Sequence, residues 1–275
     1  MKIIDAHQHF WKYDPIRDTW IDSKMRVLTK DFLPNDLEPV LEKNGVYGCL
    51  AVQADQSEDE TNFLLNIAHR NPFVKGVVGW VDLLSENVTE RLAHFSNNPY
   101  FKGVRHIVQA EPEGFMLQSD FQRGIAQLYD HNLVYDILIL SHQLGEANQL
   151  VATFDKQPFV LDHLAKPNIK EGHWDSWSRD ITELAKFPNV YCKLSGMVTE
   201  AAWNHWSIED FKPYIETVIN VFGTKRIMFG SDWPVCLLSA SYEDVLSIME
   251  YYLQLFSGDE KKQVMGENAI KIYNL

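Results

Sequence analysis

The stretch Ile3-Ile4-Asp5-Ala6-His7-Gln8-His9-Phe10 decides how the fold is interpreted. Its composition predicts an extended strand, in which alternate side chains lie on opposite faces. One face would carry Ile3, Asp5, His7 and His9, and the other Ile4, Ala6 and Gln8. The Cα atoms of His7 and His9 would then lie roughly 6 to 7 Å apart. Two imidazoles at that spacing can hold one metal ion or one substrate oxygen between them.

A second short apolar segment near the other end of the chain runs directly into a carboxylate. This segment is Ile227-Met228-Phe229-Gly230-Ser231, and Asp232 follows it. We predict that the chain between the two segments folds so that Asp232 meets His7 and His9.

Apolar runs and helical patterns alternate along the whole chain. After the first strand, strands are predicted at 46–55, 74–82, 101–108, 134–140, 159–163, 190–195 and 227–232. Helices are predicted at 34–45, 58–70, 86–97, 120–131, 144–156, 176–187, 208–222, 242–256 and 259–273. Eight strands alternating with helices predict one α/β domain over residues 1–275, a (β/α)8 TIM barrel with room for slight distortion. An open doubly wound sheet is the alternative, but it normally has a Gly-rich turn after its first strand, where this chain has His-Gln-His-Phe.

Composition narrows the class of partner. The formal net charge of -13 argues against nucleic acid and anionic membranes, and favours a small neutral substrate. Three widely spaced cysteines, Cys49, Cys192 and Cys236, are expected to be reduced packing residues. With no leader pattern and no long apolar run, we expect a soluble cytoplasmic protein. Whether it forms a homo-oligomer stays open.

Polar residues concentrate where the predicted strands end, which is where barrel enzymes place their chemistry. These residues are His7, His9, Gln53, Asp55, Trp80, Asp82, Arg105, Ser141, His142, His163, Lys193, Ser195 and Asp232. In the seventh strand, Tyr191, Lys193 and Ser195 alternate with apolar neighbours and are predicted to face the barrel interior. For Gln53, Asp82 and Ser195, a packing role is the alternative. The loop at 11–32, which contains Trp11 and Trp20, is of a kind that often covers a site.

Several of these segments together resemble the amidohydrolase superfamily, and within it the branch of sugar-acid lactonases and pyrone-dicarboxylate lactonases. The matching segments are IDAHQHF at 4–10 with its preceding Ile3, KGVR at 102–105, FVLDHLAKP at 159–167, VYCKLSG at 190–196, MFGSDWPV at 228–235 and GENA at 266–269. They are spread over the whole chain. The resemblance implies a hydrolytic barrel enzyme.

The resemblance also bears on metal binding. Two-metal members of the superfamily use a bridging Lys or Glu in mid-barrel, where this chain has Arg105, so we expect no binuclear site. His7, His9, His163 and Asp232 are ligand types that can hold one Zn²⁺. Since the lactonase branch includes members that work without metal, we expect that no cofactor is required.

The leading functional hypothesis is a hydrolase that opens a neutral sugar-derived lactone, such as L-fucono-1,5-lactone or L-rhamnonolactone. Asp232 would be the general base, and His7, His9 and His163 would orient water and substrate or hold the metal. The residues predicted to contact the substrate are Arg105, Gln53, Asp55, Trp11, Trp80, His142, Lys193 and Trp233.

Three alternatives remain at this point. A metal-dependent decarboxylase of the same superfamily would release CO₂, and a non-catalytic carbohydrate-binding barrel would bind sugar without turnover. A pyrone-dicarboxylate-type lactonase would need several Arg side chains for its two carboxylates. Of the eight arginines, only Arg105 lies at a predicted strand end, and only Arg17 and Arg26 can be placed near it. The sequence therefore favours a neutral lactone.

Overall fold

The computed structural model describes residues 1–275 and contains eight parallel strands, each paired with the next in chain order. The strands are β1 (Ile3–Gln8), β2 (Val46–Val52), β3 (Val74–Gly79), β4 (Phe101–His106), β5 (Val134–Ile137), β6 (Phe159–Leu161), β7 (Val190–Leu194) and β8 (Ile227–Phe229). This order and the surrounding helices confirm the predicted (β/α)8 barrel.

The helices lie on the outside of the strands. They are α1 (Pro34–Lys43), α2 (Glu58–Arg70), α3 (Val88–Ser96), α4 (Ser119–Leu128), α5 (Leu144–Thr153), α6 (Asp175–Ala185), α7 (Met197–Glu200), α8 (Lys212–Phe222), α9 (Tyr242–Tyr252), α10 (Gly258–Lys262) and α11 (Asn268–Tyr273). Side-chain caps begin several of them; for example, Ser57 Oγ accepts the Glu60 backbone N–H before α2. None of the helices is long and apolar enough to cross a membrane.

The predicted helix at 259–273 is interrupted in the structure. A wide turn at Gln263–Glu267 separates α10 from α11. At Gly266 the backbone passes so close to the start of β1 that a Cβ would lie 2.2 Å from the Lys2 carbonyl oxygen. The C-terminal segment therefore packs directly against the amino end of the barrel, which a helical pattern alone does not reveal.

The barrel closes just beyond the end of β8. The Asp232 backbone N–H donates to the His7 carbonyl oxygen at 2.8 Å, and the His9 N–H donates to the Trp233 carbonyl oxygen at 2.7 Å. These two backbone hydrogen bonds join the last strand to the first. They also place Asp232 beside the two histidines, as the sequence predicted.

Apolar side chains form two layers. The larger layer fills the space between strands and helices, and all three cysteines lie buried and unbridged within the protein. The smaller layer fills the lower barrel interior with side chains that include Ile4, Leu50, Tyr191 and Met228. α11 closes the amino end of the barrel, where Lys102 Nζ donates to the Asn274 carbonyl oxygen at 2.8 Å.

One prediction for β1 is wrong. Asp5 pairs with Cys49 and Gln8 with Ala51, so β1 uses three residues where β2 uses two. This irregularity shifts the alternation by one residue. Asp5 consequently points outward, where its Oδ2 accepts hydrogen bonds from Ser231 Oγ at 2.6 Å and from Tyr242 at 3.1 Å. The histidines therefore lie on the interior face with Ile4 and Ala6, not on the face of Asp5.

Several predicted strands also run too far at their carboxyl ends. β6 ends at Leu161 and β8 at Phe229, two to three residues before the predicted ends at 163 and 232. The reason is visible in the backbone, since His163 and Asp232 have φ values of +53° and +58°. Left-handed backbone cannot continue a strand. His163 and Asp232 instead turn their side chains over the mouth of the barrel.

Candidate active site

Three imidazoles and one carboxylate converge at the carboxyl end of the barrel. Asp232 Oδ1 lies 3.4 Å from His9 Nε2, 3.9 Å from His7 Nε2 and 3.9 Å from His163 Nε2. These four residues, which we call the His–Asp cluster, are at most 4% exposed. The structure thus brings together all four residues that the sequence put forward as catalytic.

The backbone around two members of the cluster is unusual. His163 begins a run of four residues with positive φ that ends at Lys166, and Asp232 also has positive φ. Such conformations cost of order 1 kcal/mol or more per non-glycine residue and occur preferentially at functional sites. Gly196 accommodates this turn, because a Cβ there would lie 2.6 Å from His163 Nδ1. Ser195 Oγ then lies 2.9 Å from the same nitrogen and fixes the ring.

The hydrogen bond of His9 to the backbone shows which of its ring nitrogens carries the proton and which has a free lone pair toward the cluster. Nδ1 lies 2.8 Å from the Val52 carbonyl oxygen, which can only accept a hydrogen bond, so the proton of the neutral ring is on Nδ1. Nε2 is then unprotonated and faces both Asp232 Oδ1 and His7 Nε2, the latter at 3.2 Å. His9 Nε2 and Asp232 Oδ1 are then two hydrogen-bond acceptors 3.4 Å apart. A proton or a cation between them would satisfy both.

Below the cluster lies a layer of paired charges. Lys193 Nζ is 2.5 Å from Asp136 Oδ2, 3.0 Å from Asp162 Oδ1 and 3.2 Å from His7 Nδ1. Arg105 Nη1 is 3.1 Å from Asp162 Oδ2 and 3.3 Å from His7 Nε2. Two cations thus neutralise two buried carboxylates, and His7 lies between the cations.

This layer includes residues that sequence reasoning missed. Asp162 and Asp136 are fully buried and were not among the predicted site residues. Asp162 directly precedes His163, and Asp136 has the same strand alternation as the interior Val134. Those two signals were available in the sequence. What they did not reveal is that Lys193 would lie opposite both carboxylates across the barrel.

Burial controls the protonation of the cluster. It lowers the pKa of His163 to about 4, although Asp232 and Asp162 oppose the shift. It also places the pKa of His7 well below its usual range, where the charge of Lys193 adds to the effect and Asp162 opposes it. Both rings are therefore neutral at pH 7.

The carboxylates are affected differently. Burial acts to raise the pKa of Asp232, but the surrounding imidazoles of His163, His9 and His7 outweigh it and hold that pKa below its ordinary value. Asp162 behaves in the same way, with Lys193, His7 and Arg105 outweighing burial. For Asp136, burial prevails over Lys193 and raises the pKa to about 6. Asp232 is accordingly an ionised carboxylate, which is the state that a general base requires.

Four of the other predicted substrate contacts are Gln53, Trp11, Trp80 and Asp55. Gln53 is fully buried, and its Nε2 donates to the Arg105 carbonyl oxygen at 3.0 Å. Trp11 is also close, with its ring centroid 6.4 Å from that of His9. Trp80 is partly buried near the end of β3, and Asp55 accepts a hydrogen bond from Ser57 Oγ at 2.7 Å.

Two further predicted contacts are His142 and Trp233. His142 is exposed in a short turn before α5. Trp233 is buried against Phe10 and Phe32, with ring centroids 6.2 Å and 5.3 Å away. Its aromatic residue type suggested sugar contact, but its place beyond the end of β8 turns it toward the apolar layer outside the strands.

The cluster fits a zinc ion in the chemistry of its donors. The candidate ligand atoms of His7, His9 and Asp232 all lie within 4.8 Å of one another, and those of His7, Asp162 and His163 form a second such group. Imidazole nitrogen and carboxylate oxygen are ligands that Zn²⁺ prefers. Asp162 Oδ1, 3.3 Å from His7 Nδ1, is the type of partner that usually orients a zinc-binding imidazole.

Comparison with known proteins agrees with this geometry. The family model described as Amidohydrolase matches residues 4–275. The chain belongs to the amidohydrolase family. It is 38% identical to the L-fucono-1,5-lactonase of Burkholderia multivorans, over 99% of this chain and 96% of that protein. It is 35% identical to the L-fucono-1,5-lactonase of Burkholderia ambifaria, over 99% of this chain and 95% of that protein.

A solved structure similar to this amidohydrolase bears on the metal. It is an amidohydrolase from Burkholderia multivorans described with bound zinc, 38% identical, with a TM-score of 0.97 and complete coverage of both chains. In this chain, the donor set of the His–Asp cluster could hold such an ion. The expectation that no cofactor is required therefore has no support.

We expect the His–Asp cluster to bind one Zn²⁺ per chain. His9→Gln, which removes the Nε2 lone pair, should weaken Zn²⁺ binding by at least about tenfold. His142→Gln is the matched control, since His142 is exposed and lies outside the cluster. Calorimetric titration of chelator-treated protein measures both affinities, and equal affinity in the two variants would contradict the assignment.

Proposed function

We propose that this amidohydrolase hydrolyses a neutral sugar-derived lactone. The observation that carries the proposal is an ionised, buried carboxylate, Asp232, surrounded by three imidazoles that can orient water and substrate or hold a metal ion. Ester hydrolysis needs a base for water and positive charge near the carbonyl oxygen. The two Burkholderia relatives named L-fucono-1,5-lactonase support the same reaction class.

In the proposed reaction, Asp232 takes a proton from water while the water oxygen attacks the lactone carbonyl carbon. Asp232 Oδ1 faces the imidazoles, which leaves Oδ2 to accept this proton. The bond between the carbonyl carbon and the ring oxygen then breaks, and protonated Asp232 returns the proton to the departing alkoxide. The product is an open-chain hydroxy acid.

The surrounding residues hold the charges in place. Arg105 and Lys193 lie below the cluster, where they are paired with Asp162 and Asp136 and hold His7 between them. His163, fixed by Ser195, orients substrate or water toward Asp232. When bound by the cluster, Zn²⁺ would supply Lewis-acid polarisation of the carbonyl.

The pairing of the positively charged side chains near the site indicates whether the substrate is charged or neutral. The positive charges of Arg105 and Lys193 are already matched by Asp136 and Asp162, and Arg17 is paired with Asp18 at 2.7 Å. Neither Arg105 nor Arg17 is therefore left unpaired for a substrate carboxylate. The ring of Trp11 beside His9 offers an apolar surface to a deoxy sugar. We propose a neutral six-carbon aldonolactone, with L-fucono-1,5-lactone and L-rhamnonolactone as the first candidates.

Asp232→Asn should abolish turnover while the fold stays intact, because the amide is nearly isosteric but cannot accept the proton from water. Loss of a general base typically costs about 10² to 10⁴ in rate. Steady-state kinetics and circular dichroism of the purified variant measure both parts. A variant with more than half of the wild-type kcat would remove Asp232 from the mechanism.

Substrate comparison tests the proposed function itself. We expect kcat/KM to be high for L-fucono-1,5-lactone or L-rhamnonolactone, and turnover of 2-pyrone-4,6-dicarboxylate to be undetectable, since Arg105 and Lys193 are already paired with carboxylates. Acid release followed with a pH indicator measures both. Efficient turnover of the diacid with none of the neutral lactones would refute the proposal.

A further inference from the structure

A continuous line of polar contacts crosses the barrel from the C-terminal helix to the His–Asp cluster. The Tyr273 hydroxyl donates to Asp136, with distances of 2.8 Å to Oδ1 and 3.0 Å to Oδ2. Asp136 Oδ2 accepts from Lys193 Nζ at 2.5 Å, and Nζ lies 3.2 Å from His7 Nδ1. Four side chains thus link α11, at the amino end of the barrel, to the cluster at its carboxyl end.

Burial makes this line sensitive to each of its members. Asp136, Lys193 and His7 are 0% exposed and Tyr273 is 2% exposed, so no solvent replaces a lost partner. An unsatisfied buried polar group costs about 1 to 3 kcal/mol, and more when it is charged. Loss of the Tyr273 hydroxyl would therefore leave Asp136 dependent on Lys193 alone. Without the tyrosine hydroxyl, the Asp136 carboxylate is free to turn, and the Lys193 ammonium bound to it would shift relative to His7 and Asp162.

The hydroxyl of Tyr273, like that of Tyr242, donates to a buried carboxylate, which not every buried tyrosine in this protein does. Tyr135 and Tyr214 are also almost fully buried, yet their hydroxyl oxygens have no hydrogen-bond partner. The Tyr273 hydroxyl contacts both oxygens of one carboxylate. Its ring fills space that phenylalanine would fill equally well, so packing alone does not explain the hydroxyl.

We propose that Tyr273, acting through Asp136 and Lys193, is a positioning residue for His7. Through Asp136, the Tyr273 hydroxyl fixes the Lys193 ammonium at the position where the ammonium contacts both His7 Nδ1 and Asp162 Oδ1. The orientation of the His7 ring in the cluster consequently depends on the C-terminal helix. This inference rests on the proposed lactone hydrolysis for its kinetic test.

Tyr273→Phe tests the proposal, with Tyr214→Phe as the matched control. Both substitutions remove one hydroxyl from a tyrosine that is 2% exposed, and Tyr214 lies on α8, outside the line of contacts. We expect Tyr273→Phe to lower kcat for a neutral aldonolactone about tenfold, with KM changed less than about twofold. Tyr214→Phe should keep the wild-type kcat. Equal kcat values in the two folded variants would overturn the proposal.

A double-variant cycle with Asp136→Asn separates positioning from a general loss of stability. If Tyr273 acts through Asp136, adding Tyr273→Phe to Asp136→Asn should lower kcat by much less than it does in the wild type. Full additivity of the two effects would contradict the proposed order of contacts.

Nitrogen-15 NMR of the histidine rings provides a readout that needs no substrate. The Nδ1 resonance of His7, assigned with His7→Gln, should shift in Tyr273→Phe and stay in place in Tyr214→Phe. An unchanged resonance in both would refute the positioning role even in active enzyme. A shifted resonance in a protein that opens no lactone would refute the proposed function while supporting the positioning role.

Discussion

The site depends on a set of charges held inside the barrel, where Lys193 and Arg105 face Asp136 and Asp162 at distances of 2.5 to 3.1 Å. Removing one member of such a buried pair costs about 3 to 5 kcal/mol, because the remaining charge has no solvent. The four charges balance, so the interior can contain them in spite of the chain's net charge of -13. They also surround His7 with fixed donors and acceptors. The proposed chemistry of the His–Asp cluster depends on this fixed position of His7.

The second requirement is closure of the barrel. Asp232 comes 225 residues after His7 in the sequence. The two residues meet where the chain after β8 pairs with β1, through the hydrogen bond from the Asp232 N–H to the His7 carbonyl oxygen. The left-handed conformations at His163 and Asp232 then turn these side chains inward over the barrel mouth. Strands, closure and local backbone geometry together place one carboxylate among three imidazoles.

Much of this could be predicted from sequence, because it follows from local patterns. Eight apolar runs predicted eight strands, and residues at their carboxyl ends predicted the His–Asp cluster. Other features depend on what faces a residue across the barrel. The role of Asp162 comes from Lys193 and Arg105 on other strands, and the outward direction of Asp5 comes from an irregularity in its pairing with β2. Trp233 has the right residue type for a sugar contact, but its direction is set by packing against Phe32.

We propose that the His–Asp cluster delivers water to the carbonyl carbon of a lactone. Hydrolysis in oxygen-18-labelled water, with mass spectrometry of the fragmented product, tests this most directly. We expect each product molecule from a single turnover to carry one heavy oxygen in its carboxylate and none in the hydroxyl that came from the ring. Label in that hydroxyl would mean attack at the alkyl carbon, and would contradict the assignment of Asp232 and its imidazoles to carbonyl chemistry.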